Sequence, residues 1–369
     1  MLKFETLYKE GHEEVVFFSD PSCNLKVIIA IHNTILGPAL GGTRMWPYKN
    51  EEEALSDVLR LSKGMTYKAA VAGLNLGGGK AVIIGDPVQD KSEALFRCYG
   101  RFLESLNGRY ITAEDVNITV EDIEHIFTET SNVCGVAKIH GGSGNPAPFT
   151  ALGTFRGIEA SCLKTFGDRS VKGKVFALQG AGSVGCHLGK LLSDNGAKVF
   201  FCDINEKNVE RFKEFVPNAE RVSVDEIYDI PCDVYSPCAL GATINDDTIE
   251  RLKCRVVAGC ANNQLAENRH GDILKEKDIL YAPDYLINAG GLMNVSIEFE
   301  GWSEDKATRM VDTIYDTTLE IFKKSDKDDI PVHQATDLLA EQRIQSIKNI
   351  KGRYLGRLAH RFPGRKKLI

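Results

Sequence analysis

The sequence predicts an α/β protein with two domains. Its 369 residues exceed the usual length of one domain. Residues 141–148, GGSGNPAP, concentrate glycine and proline between two regions of regular apolar periodicity, as at a domain boundary. Beyond that boundary, short apolar segments alternate with helical patterns, which is typical of a parallel sheet.

Composition and charge disfavour several classes of protein. Hydrophobic residues make up 43% and charged residues 26%, as in ordinary soluble domains. A net charge of −6 argues against a nucleic-acid partner, and runs such as Val27–Ile31 are far shorter than the ~20 residues that span a bilayer. The N-terminus lacks the apolar core of a signal peptide. Because the ten cysteines are scattered without a metal-binding spacing, we expect a cytoplasmic protein with no disulfide and no metal.

Local patterns predict the elements of the first half. Val15–Phe18 and Leu25–His32 are expected to be strands, because both are apolar runs separated by a turn sequence. Asn50 is expected to cap a helix whose apolar stripe covers residues 54–61. His12 is expected to be a surface residue on an N-terminal helix, not a metal ligand, because no cysteine set supports it.

Three glycines, Gly77–Gly79, precede Lys80. Strands are expected on either side of them, at Ala69–Leu74 and Ala81–Ile84. A phosphate-binding loop is disfavoured, because the sequence has leucine where that motif needs its first glycine and alanine where it needs a hydroxyl. A short strand at Tyr110–Thr112 then leads into AEDVN.

The second half contains a dinucleotide-binding motif. GAGSVG, residues 180–185, follows an apolar strand at Val175–Leu178 and begins a helical pattern. This context predicts a Rossmann-type unit. In it Gly180 makes the tight turn, Gly182 lets the backbone approach the pyrophosphate, and Gly185 lets the helix pack on the strand.

Asp203 ends the next strand, 23 residues after the first glycine of the motif. A carboxylate there accepts a hydrogen bond from a ribose 2′-hydroxyl and repels a 2′-phosphate, and no arginine stands beside it in CDINEKN. The motif therefore predicts NAD as the cofactor. The alternative is that Asp203 only caps a turn.

Several segments together resemble one family, the amino-acid dehydrogenases of the leucine, phenylalanine, valine and glutamate type. They are AIHNTILGPALGGTRMWPY, RLSKGMTYKAA, GGGKAVIIGDP, NGRYITAEDV, PCALGATIN, ANNQL and APDYLINAGGLMNV, and they span nearly the whole chain in order. Within the family the likeness is greatest to the leucine-specific members. The resemblance implies reversible conversion of an L-amino acid, NAD and water to a 2-oxo acid, ammonium and NADH.

The resemblance also implies an architecture. A substrate-binding and oligomerisation domain is expected at residues 1–140, with residues 335–369 folding back on it. A Rossmann-type NAD-binding domain is expected at residues 141–334, separated from the first by a cleft. Relatives form homo-oligomers, often octamers.

Three residues of the first half carry the chemistry that the resemblance implies. Lys68 would hold the substrate carboxylate as a fixed cation. Lys80 would activate water, which requires an amine that is partly neutral near neutral pH; a second cation and the exclusion of water both favour that form. Asp115 would carry protons to and from the substrate nitrogen, although it could instead only cap a helix. The three glycines would keep side chains away so that Lys80 reaches the substrate.

Less specific matches to the family indicate the remaining residues of the site. Gly41 and Gly42 would lie by the substrate carboxylate, and Asn262 and Asn288 would face the nicotinamide and the substrate amine unless they are turn amides. The substrate side chain would lie among Leu40, Met65, Ala113, Leu292 and Val295. The residues expected to contact the cofactor are Thr150, Gly180, Ala181, Gly182, Ser183, Val184, Gly185, Asp203, Ile204, Cys238, Ala239 and Asn262.

The expected pocket is apolar, so a glutamate side chain is an unlikely occupant because its charge would lack a partner. Ala113 fits the leucine-preferring pattern, whereas Leu292 is common in the phenylalanine type. We expect branched-chain substrates, namely leucine, valine and isoleucine, with phenylalanine as the rival. An aminotransferase would leave the dinucleotide unit unexplained, and a hydroxy-acid dehydrogenase would want a His/Arg pair that no matching segment supplies. A non-catalytic NAD-binding regulator is disfavoured because all three charged residues are present.

Overall fold

The protein is described here by a computed structural model that covers residues 4–351. The described chain forms two compact units, the first comprising residues 4–145, 295–304 and 340–351 and the second residues 146–294 and 305–339. Both contain helices and a sheet, so the predicted two-domain α/β fold class is confirmed. The cleft between them stays a prediction, and residues 352–369 of the expected C-terminal segment lie outside the described range.

The first unit is built on a mixed sheet of six strands within the described residues, in the order β1-β2-β5-β3-β6, with β4 also paired to β5. Its elements are α1 (Phe4–Glu10), β1 (Glu14–Asp20), β2 (Leu25–Asn33), β3 (Ala39–Leu40), β4 (Thr43–Trp46), α2 (Glu51–Val71), β5 (Gly77–Ile84), α3 (Glu93–Ser105), β6 (Tyr110–Ile111) and α4 (Val120–Phe127). The predicted strands at Val15–Phe18 and Leu25–His32 and the predicted cap at Asn50 are confirmed. The Asn50 side chain accepts a hydrogen bond from the Glu53 backbone at 2.9 Å.

The sheet carries one apolar layer on each face. Residues of β2 alternate between the layers, because successive side chains of a strand point to opposite faces. Val27 and Ile29 pack with α3 and α4, whereas Ile28 and Ala30 pack with α2. Helix α2 therefore packs on one face of the sheet, over β2 and β5.

The predicted strand at Ala69–Leu74 is wrong. Residues 69–71 form the last turn of α2, and the glycines lie inside β5 instead of between two strands. The helical stripe of α2 continues through these apolar residues, so an apolar run at the end of a helix was mistaken for a strand. Arg343 closes this helix end by donating hydrogen bonds to the carbonyls of Ala70 and Leu74 at 2.8 and 2.7 Å.

The surface position expected for His12 is also wrong. Its side chain is buried, and one ring nitrogen is hydrogen-bonded to the Ser62 hydroxyl of α2 at 2.9 Å. Its ring packs edge-on against His32, whose own ring contacts the Thr66 hydroxyl at 2.8 Å. Burial first of all, together with the neighbouring His12, lowers the pKa of His32 to about 4. The two histidines thus anchor α2 on the sheet as neutral hydrogen-bonding groups.

The second unit contains a parallel sheet in the order β12-β11-β10-β7-β8-β9. Its elements are α5 (Ala147–Phe166), β7 (Val175–Gln179), α6 (Ser183–Asp194), β8 (Lys198–Cys202), α7 (Glu206–Phe215), β9 (Glu220–Arg221), β10 (Val234–Pro237), β11 (Val256–Val257), α8 (Asn268–Glu276), β12 (Leu280–Tyr281), α9 (Asp284–Ile287), α10 (Gly290–Ser296) and α11 (Glu304–Asp328). The last described element is α12 (Val332–Lys351). Counted from β7, this is the strand order of a doubly wound dinucleotide fold.

Among residues 4–351, no helix combines the length and the apolar character needed to cross a bilayer. All ten cysteines of the chain are free thiols.

Candidate active site

Strand register brings Lys80, Arg44 and Asp115 to one face of the first sheet. On β4, Thr43 lies opposite Ala81 of β5 and also bridges to Glu114. Thr43, Ala81 and Glu114 thus form an aligned row across three segments. Arg44, Lys80 and Asp115 are each the immediate chain neighbour of one of these residues. Because side chains alternate between faces, all three point to the face opposite that of the row. This is the face that α2 covers.

These side chains form a compact ionic cluster. Lys80 Nζ lies 2.8 Å from Oδ2 of Asp115, and Arg44 Nε lies 3.2 Å from the same oxygen. The Lys80 side chain is only 7% exposed, whereas that of Asp115 is 25% exposed. The cluster therefore places a buried amine beside a carboxylate that solvent, or a ligand, can still reach.

The charges around Asp115 decide its ionisation. Burial alone would raise the pKa of the carboxyl, but the positive charges of Lys80 and Arg44 outweigh burial and hold that pKa below its usual value. Asp115 is therefore a carboxylate at neutral pH, as a proton acceptor must be.

Arg44 belongs to a wider network that sequence reasoning did not single out. Its Nη1 lies 2.9 Å from Oδ2 of Asp57 on α2, and the Tyr48 hydroxyl donates to the same oxygen at 2.7 Å. The network thus joins β4, α2 and the segment of Asp115. In the sequence Arg44 stands two positions after Gly42, and that position does not reveal its carboxylate partners.

Close backbone approach explains the glycines of this region. A Cβ on Gly42 would lie 2.4 Å from the Glu114 carbonyl oxygen and 2.8 Å from the Asp115 Cβ. A Cβ on Gly41 would lie 1.8 Å from the Gly79 carbonyl oxygen, with Met65 Cγ at 3.4 Å. Both glycines are needed so that neighbouring segments can meet beside the ionic cluster.

The glycines before Lys80 are also explained by close packing of neighbouring segments. The expectation that they keep side chains away from the substrate is therefore wrong. A Cβ on Gly77 would meet the Asn33 carbonyl oxygen at 1.9 Å, one on Gly78 the Thr66 nitrogen at 2.1 Å, and one on Gly79 the Tyr110 ring at 2.7 Å. Protein atoms therefore fill the space beside each glycine. Gly78 lets α2 pack directly against the backbone of β5, whereas Gly77 and Gly79 make room for Asn33 and for the Tyr110 ring.

The other residues predicted to contact substrate are placed as follows. Lys68 lies in the last turn of α2 and is partly buried, as is Met65. Leu40 and Ala113 are buried in the first unit. Val295 is buried at the start of the segment 295–304 of that unit, and Leu292 is buried in α10 of the second unit. Their contacts with a substrate stay predictions.

The second unit carries the dinucleotide motif in the expected geometry. Gly180 has a φ of +105°, which only glycine adopts readily, and a Cβ there would lie 2.7 Å from the Ala239 nitrogen. A Cβ on Gly185 would lie 2.1 Å from the Gly180 carbonyl oxygen. Gly182, at the N-cap of α6, borders open space instead, with nothing within 4 Å of an added Cβ. Gly180 thus serves the turn and Gly185 serves helix packing. Gly182 leaves room at the N-terminus of α6, where a pyrophosphate fits.

Asp203 already supports this loop. Its Oδ2 accepts a hydrogen bond from the Ala181 nitrogen at 2.7 Å, and its Oδ1 accepts one from the Asn205 nitrogen at 2.8 Å. A carboxylate has further acceptor positions, so a ribose hydroxyl is compatible with these bonds. No arginine is near Asp203 in the sequence, but α7 brings Arg211 to this loop, where its Nη2 donates to the Ala181 carbonyl oxygen at 3.3 Å.

The remaining predicted cofactor residues lie at the carboxyl edge of the same sheet or near it. Cys238 and Ala239 follow β10, and Ile204, 85% exposed, follows Asp203. Asn288 is buried and donates to Oδ1 of Asn262 at 2.8 Å, so the two predicted amides form one pair. Thr150 lies in the first turns of α5, and its hydroxyl donates to the Pro146 carbonyl at 3.1 Å. Ser183 and Val184 form the first turn of α6. These arrangements fit a dinucleotide, and the individual roles stay predictions.

One group of potential metal ligands occurs among the described residues. Asp20, Cys23 and Cys98 bring their ligand atoms within 4.8 Å of one another. Both thiols donate to Asp20, at 3.8 Å to its carbonyl and 3.3 Å to its carboxylate. Hydrogen bonding within the group therefore accounts for this arrangement.

Two family models match the chain. One, described as the dimerisation domain of Glu/Leu/Phe/Val dehydrogenase, matches residues 12–132. The other, described as glutamate/leucine/phenylalanine/valine dehydrogenase, matches residues 201–352. Together they cover most of the chain, including the ionic cluster and part of the dinucleotide-binding unit.

Individual proteins are similar over nearly the full length. The leucine dehydrogenase of Bacillus cereus is 55% identical over 353 residues, which are 95% of this chain and 96% of that protein. The phenylalanine dehydrogenase of Caldalkalibacillus thermarum is 47% identical over 338 residues, 90% and 91% of the two chains. The crystal structure of L-tryptophan dehydrogenase from Nostoc punctiforme superimposes with a TM-score of 0.82 at 45% identity, covering 94% of this chain and all of that one.

Proposed function

The chain belongs to the Glu/Leu/Phe/Val dehydrogenase family, and from that premise we propose that it catalyses the reversible, NAD-dependent oxidative deamination of branched-chain L-amino acids. Leucine, valine and isoleucine are the substrates proposed. The products are the 2-oxo acid, ammonium and NADH. The observation that carries the proposal is the buried Lys80–Asp115 pair on the face beneath α2.

The residues of this chain divide the work by their chemistry. The glycine loop Gly180–Gly185 and Asp203 of the second unit would hold NAD, which would supply the acceptor for the hydride of the substrate Cα. Lys68 binds the substrate carboxylate, which fixes the amino acid in the first unit. Lys80 activates the water that attacks the oxidised carbon. Asp115, held as a carboxylate, takes up and returns the protons of the substrate nitrogen.

An absorbance assay for NADH tests the proposal directly. The purified protein with NAD at alkaline pH should produce NADH with leucine, valine or isoleucine and give no signal without an amino acid. The absence of NADH with all three would reject the proposed function.

The specificity for the side chain rests on an apolar pocket. Leu40, Ala113 and Val295 are buried apolar residues of the first unit, so a substrate carboxylate placed beside them would be unpaired. We expect kcat/KM to be highest for the branched-chain amino acids, lower for phenylalanine and negligible for glutamate. A preference for glutamate would contradict the pocket argument, and a preference for phenylalanine would select the rival substrate.

Replacing Ala113 with glycine should shift this preference. Loss of one buried methyl group enlarges the pocket, and a group of that size changes discrimination by roughly 10-fold. The ratio of kcat/KM for phenylalanine to that for leucine should rise in Ala113→Gly. The ratio for valine to leucine is the internal control and should change less. An unchanged phenylalanine-to-leucine ratio would remove Ala113 from the pocket.

For the cofactor we propose NAD over NADP. The Asp203 carboxylate lies at the glycine loop and disfavours a 2′-phosphate by charge repulsion. Asp203→Asn keeps an acceptor for the Ala181 nitrogen but removes the charge, so the ratio of kcat/KM for NAD to that for NADP should fall by roughly 10-fold. Steady-state kinetics with both cofactors measures this ratio. Equal use of both cofactors by the wild type would reject NAD specificity and point to Arg211 as a phosphate partner.

We also propose a cytoplasmic homo-oligomer with no nucleic-acid or membrane partner, in which an octamer is one possible state. Support comes from the family model of residues 12–132, whose description is a dimerisation domain. Light scattering during size-exclusion chromatography gives the subunit number, and a monomer at micromolar concentration would contradict the proposal.

A further inference from the structure

The two oxygens of the Asp115 carboxylate have different surroundings. Oδ2 accepts from Lys80 at 2.8 Å and from Arg44 at 3.2 Å. Within residues 4–351, Oδ1 accepts no hydrogen bond. Because a quarter of the side chain is exposed, Oδ1 is the oxygen that a ligand can reach.

Arg44 is itself held by a second carboxylate. Its Nη1 contacts Asp57 of α2 at 2.9 Å, while its Nε contacts Asp115. Asp57 in turn accepts from the Tyr48 hydroxyl at 2.7 Å and from Arg60 at 2.9 Å. The guanidinium is planar and rigid, so binding two carboxylates through two of its nitrogens defines where each carboxylate lies.

Resting on the proposed function, we propose that Arg44 is a positioning residue that anchors one oxygen of Asp115, so that the other faces the substrate nitrogen and exchanges protons with it. Asp57 holds Arg44 in place for this task. The proton moves between the substrate nitrogen and Oδ1, and no further reactant is needed. Lys80, which touches the same anchored oxygen, keeps its own role at the attacking water.

The geometry has a consequence for pH dependence. The charged groups that face Asp115 are Lys80 from β5 and Arg44 from β4, with Asp57 and the Tyr48 hydroxyl behind Arg44. Glu114 is adjacent in the chain, and burial raises its pKa. Burial opposes the ionised form of Asp115, and the two cations overcome it. Without Arg44 the pKa of Asp115 rises, so activity that needs the carboxylate is lost at a higher pH as the solution is acidified.

Three variants test the proposal in the full-length enzyme, with leucine and NAD in one direction and 4-methyl-2-oxopentanoate, ammonium and NADH in the other. Arg44→Met removes the anchor and should lower kcat about 100-fold, because small misplacement of a catalytic group costs about that much. Arg44→Lys keeps a charge but not the two-point contact, so its kcat should fall by roughly 10-fold. Asp57→Asn should act in the same direction with a smaller loss.

The readouts separate positioning from general damage. In Arg44→Met the acidic limb of the pH profile of kcat should move to higher pH, while the KM for NADH stays unchanged. Arg44→Lys and Asp57→Asn keep a cation beside Asp115, so their kcat should fall with the acidic limb close to that of the wild type. Arg101→Met is the matched control, since Arg101 also pairs with a carboxylate, Glu129, at 3.0 Å on the first unit but away from the cluster. Its kcat and pH profile should equal those of the wild type.

A wild-type kcat and acidic limb in folded Arg44→Met would overturn the inference. So would a loss of kcat in Arg44→Met with an unshifted limb, because that pattern reports a structural role only. If Arg44→Met does not fold, Arg44→Lys and Asp57→Asn decide the question: a lowered kcat with an unchanged KM for NADH supports the inference, and a wild-type kcat in both overturns it. A wild-type enzyme without leucine activity would instead reject the proposed function, which keeps the two failures distinct.

Discussion

Replacing Lys80 with alanine is expected to lower kcat for leucine oxidation by roughly 10²–10⁴-fold, the range that general acid–base groups contribute. The amine is buried, lies 2.8 Å from Asp115, and is the group we assign to water activation. The dissociation constant of NADH, measured by fluorescence titration, should be unchanged because the dinucleotide motif lies within the second unit.

A second substitution separates charge from proton transfer. Lys80→Arg keeps the positive charge beside Asp115, but a guanidinium does not lose its proton in proteins. It should therefore be as inactive as Lys80→Ala. Lys26→Ala is the matched control on the neighbouring strand β2, where the lysine is exposed, and it should retain wild-type kcat. Substantial activity in Lys80→Arg would mean that a fixed cation suffices, and substantial activity in Lys80→Ala would remove Lys80 from the mechanism.

Replacing Gly78 with alanine is expected to destabilise the protein by at least about 2 kcal/mol, as overpacking of a tight core contact does. The added Cβ would lie 2.1 Å from the Thr66 nitrogen and 2.5 Å from the Thr66 Cα. These are backbone atoms of α2, so relief requires the whole helix to move away from β5. That helix carries Lys68 and Asp57, so activity should fall together with the melting temperature.

Gly64→Ala provides the control of opposite sign. Gly64 lies within α2, and an added Cβ there meets nothing within 4 Å. Alanine is the better helix former, so this variant should gain about 0.5–1 kcal/mol in the free energy of unfolding. Thermal and urea unfolding at one fixed protein concentration measure both effects. An unchanged melting temperature in Gly78→Ala would show that α2 does not depend on this contact.

Much of the fold followed from local pattern. The strands of the first hairpin, the Asn50 cap and the strand–GAGSVG–helix unit were all predicted, because each depends on residues that are near one another in the chain. The errors occurred where tertiary contacts decide. The run Ala69–Leu74 is short and apolar, which is also true of a buried strand, but α2 continues through residue 71 and lies against the sheet. His12 is buried because the same helix supplies Ser62 and Leu59 as partners.

The residues of the candidate site also fall into those that the sequence indicated and those that only tertiary contacts revealed. Lys68, Lys80 and Asp115 could be singled out from the sequence, because segments around them match a known pattern. Arg44 and Asp57 could not, because their value lies in contacts across β4, α2 and the segment of Asp115, at separations of 13 and 71 residues. A charged side chain is most often at the surface, and only its neighbours in space reveal another task.

By itself, then, the amino-acid sequence determined the α/β class, the glycine loop for a dinucleotide and the family, since these depend on residue types at short spacings. Tertiary structure alone decided why three consecutive glycines precede Lys80 and which oxygen of Asp115 pairs with Lys80 and Arg44. The physical reason is that close packing and ionic contact depend on distances between segments far apart in the chain, and local sequence does not encode those distances.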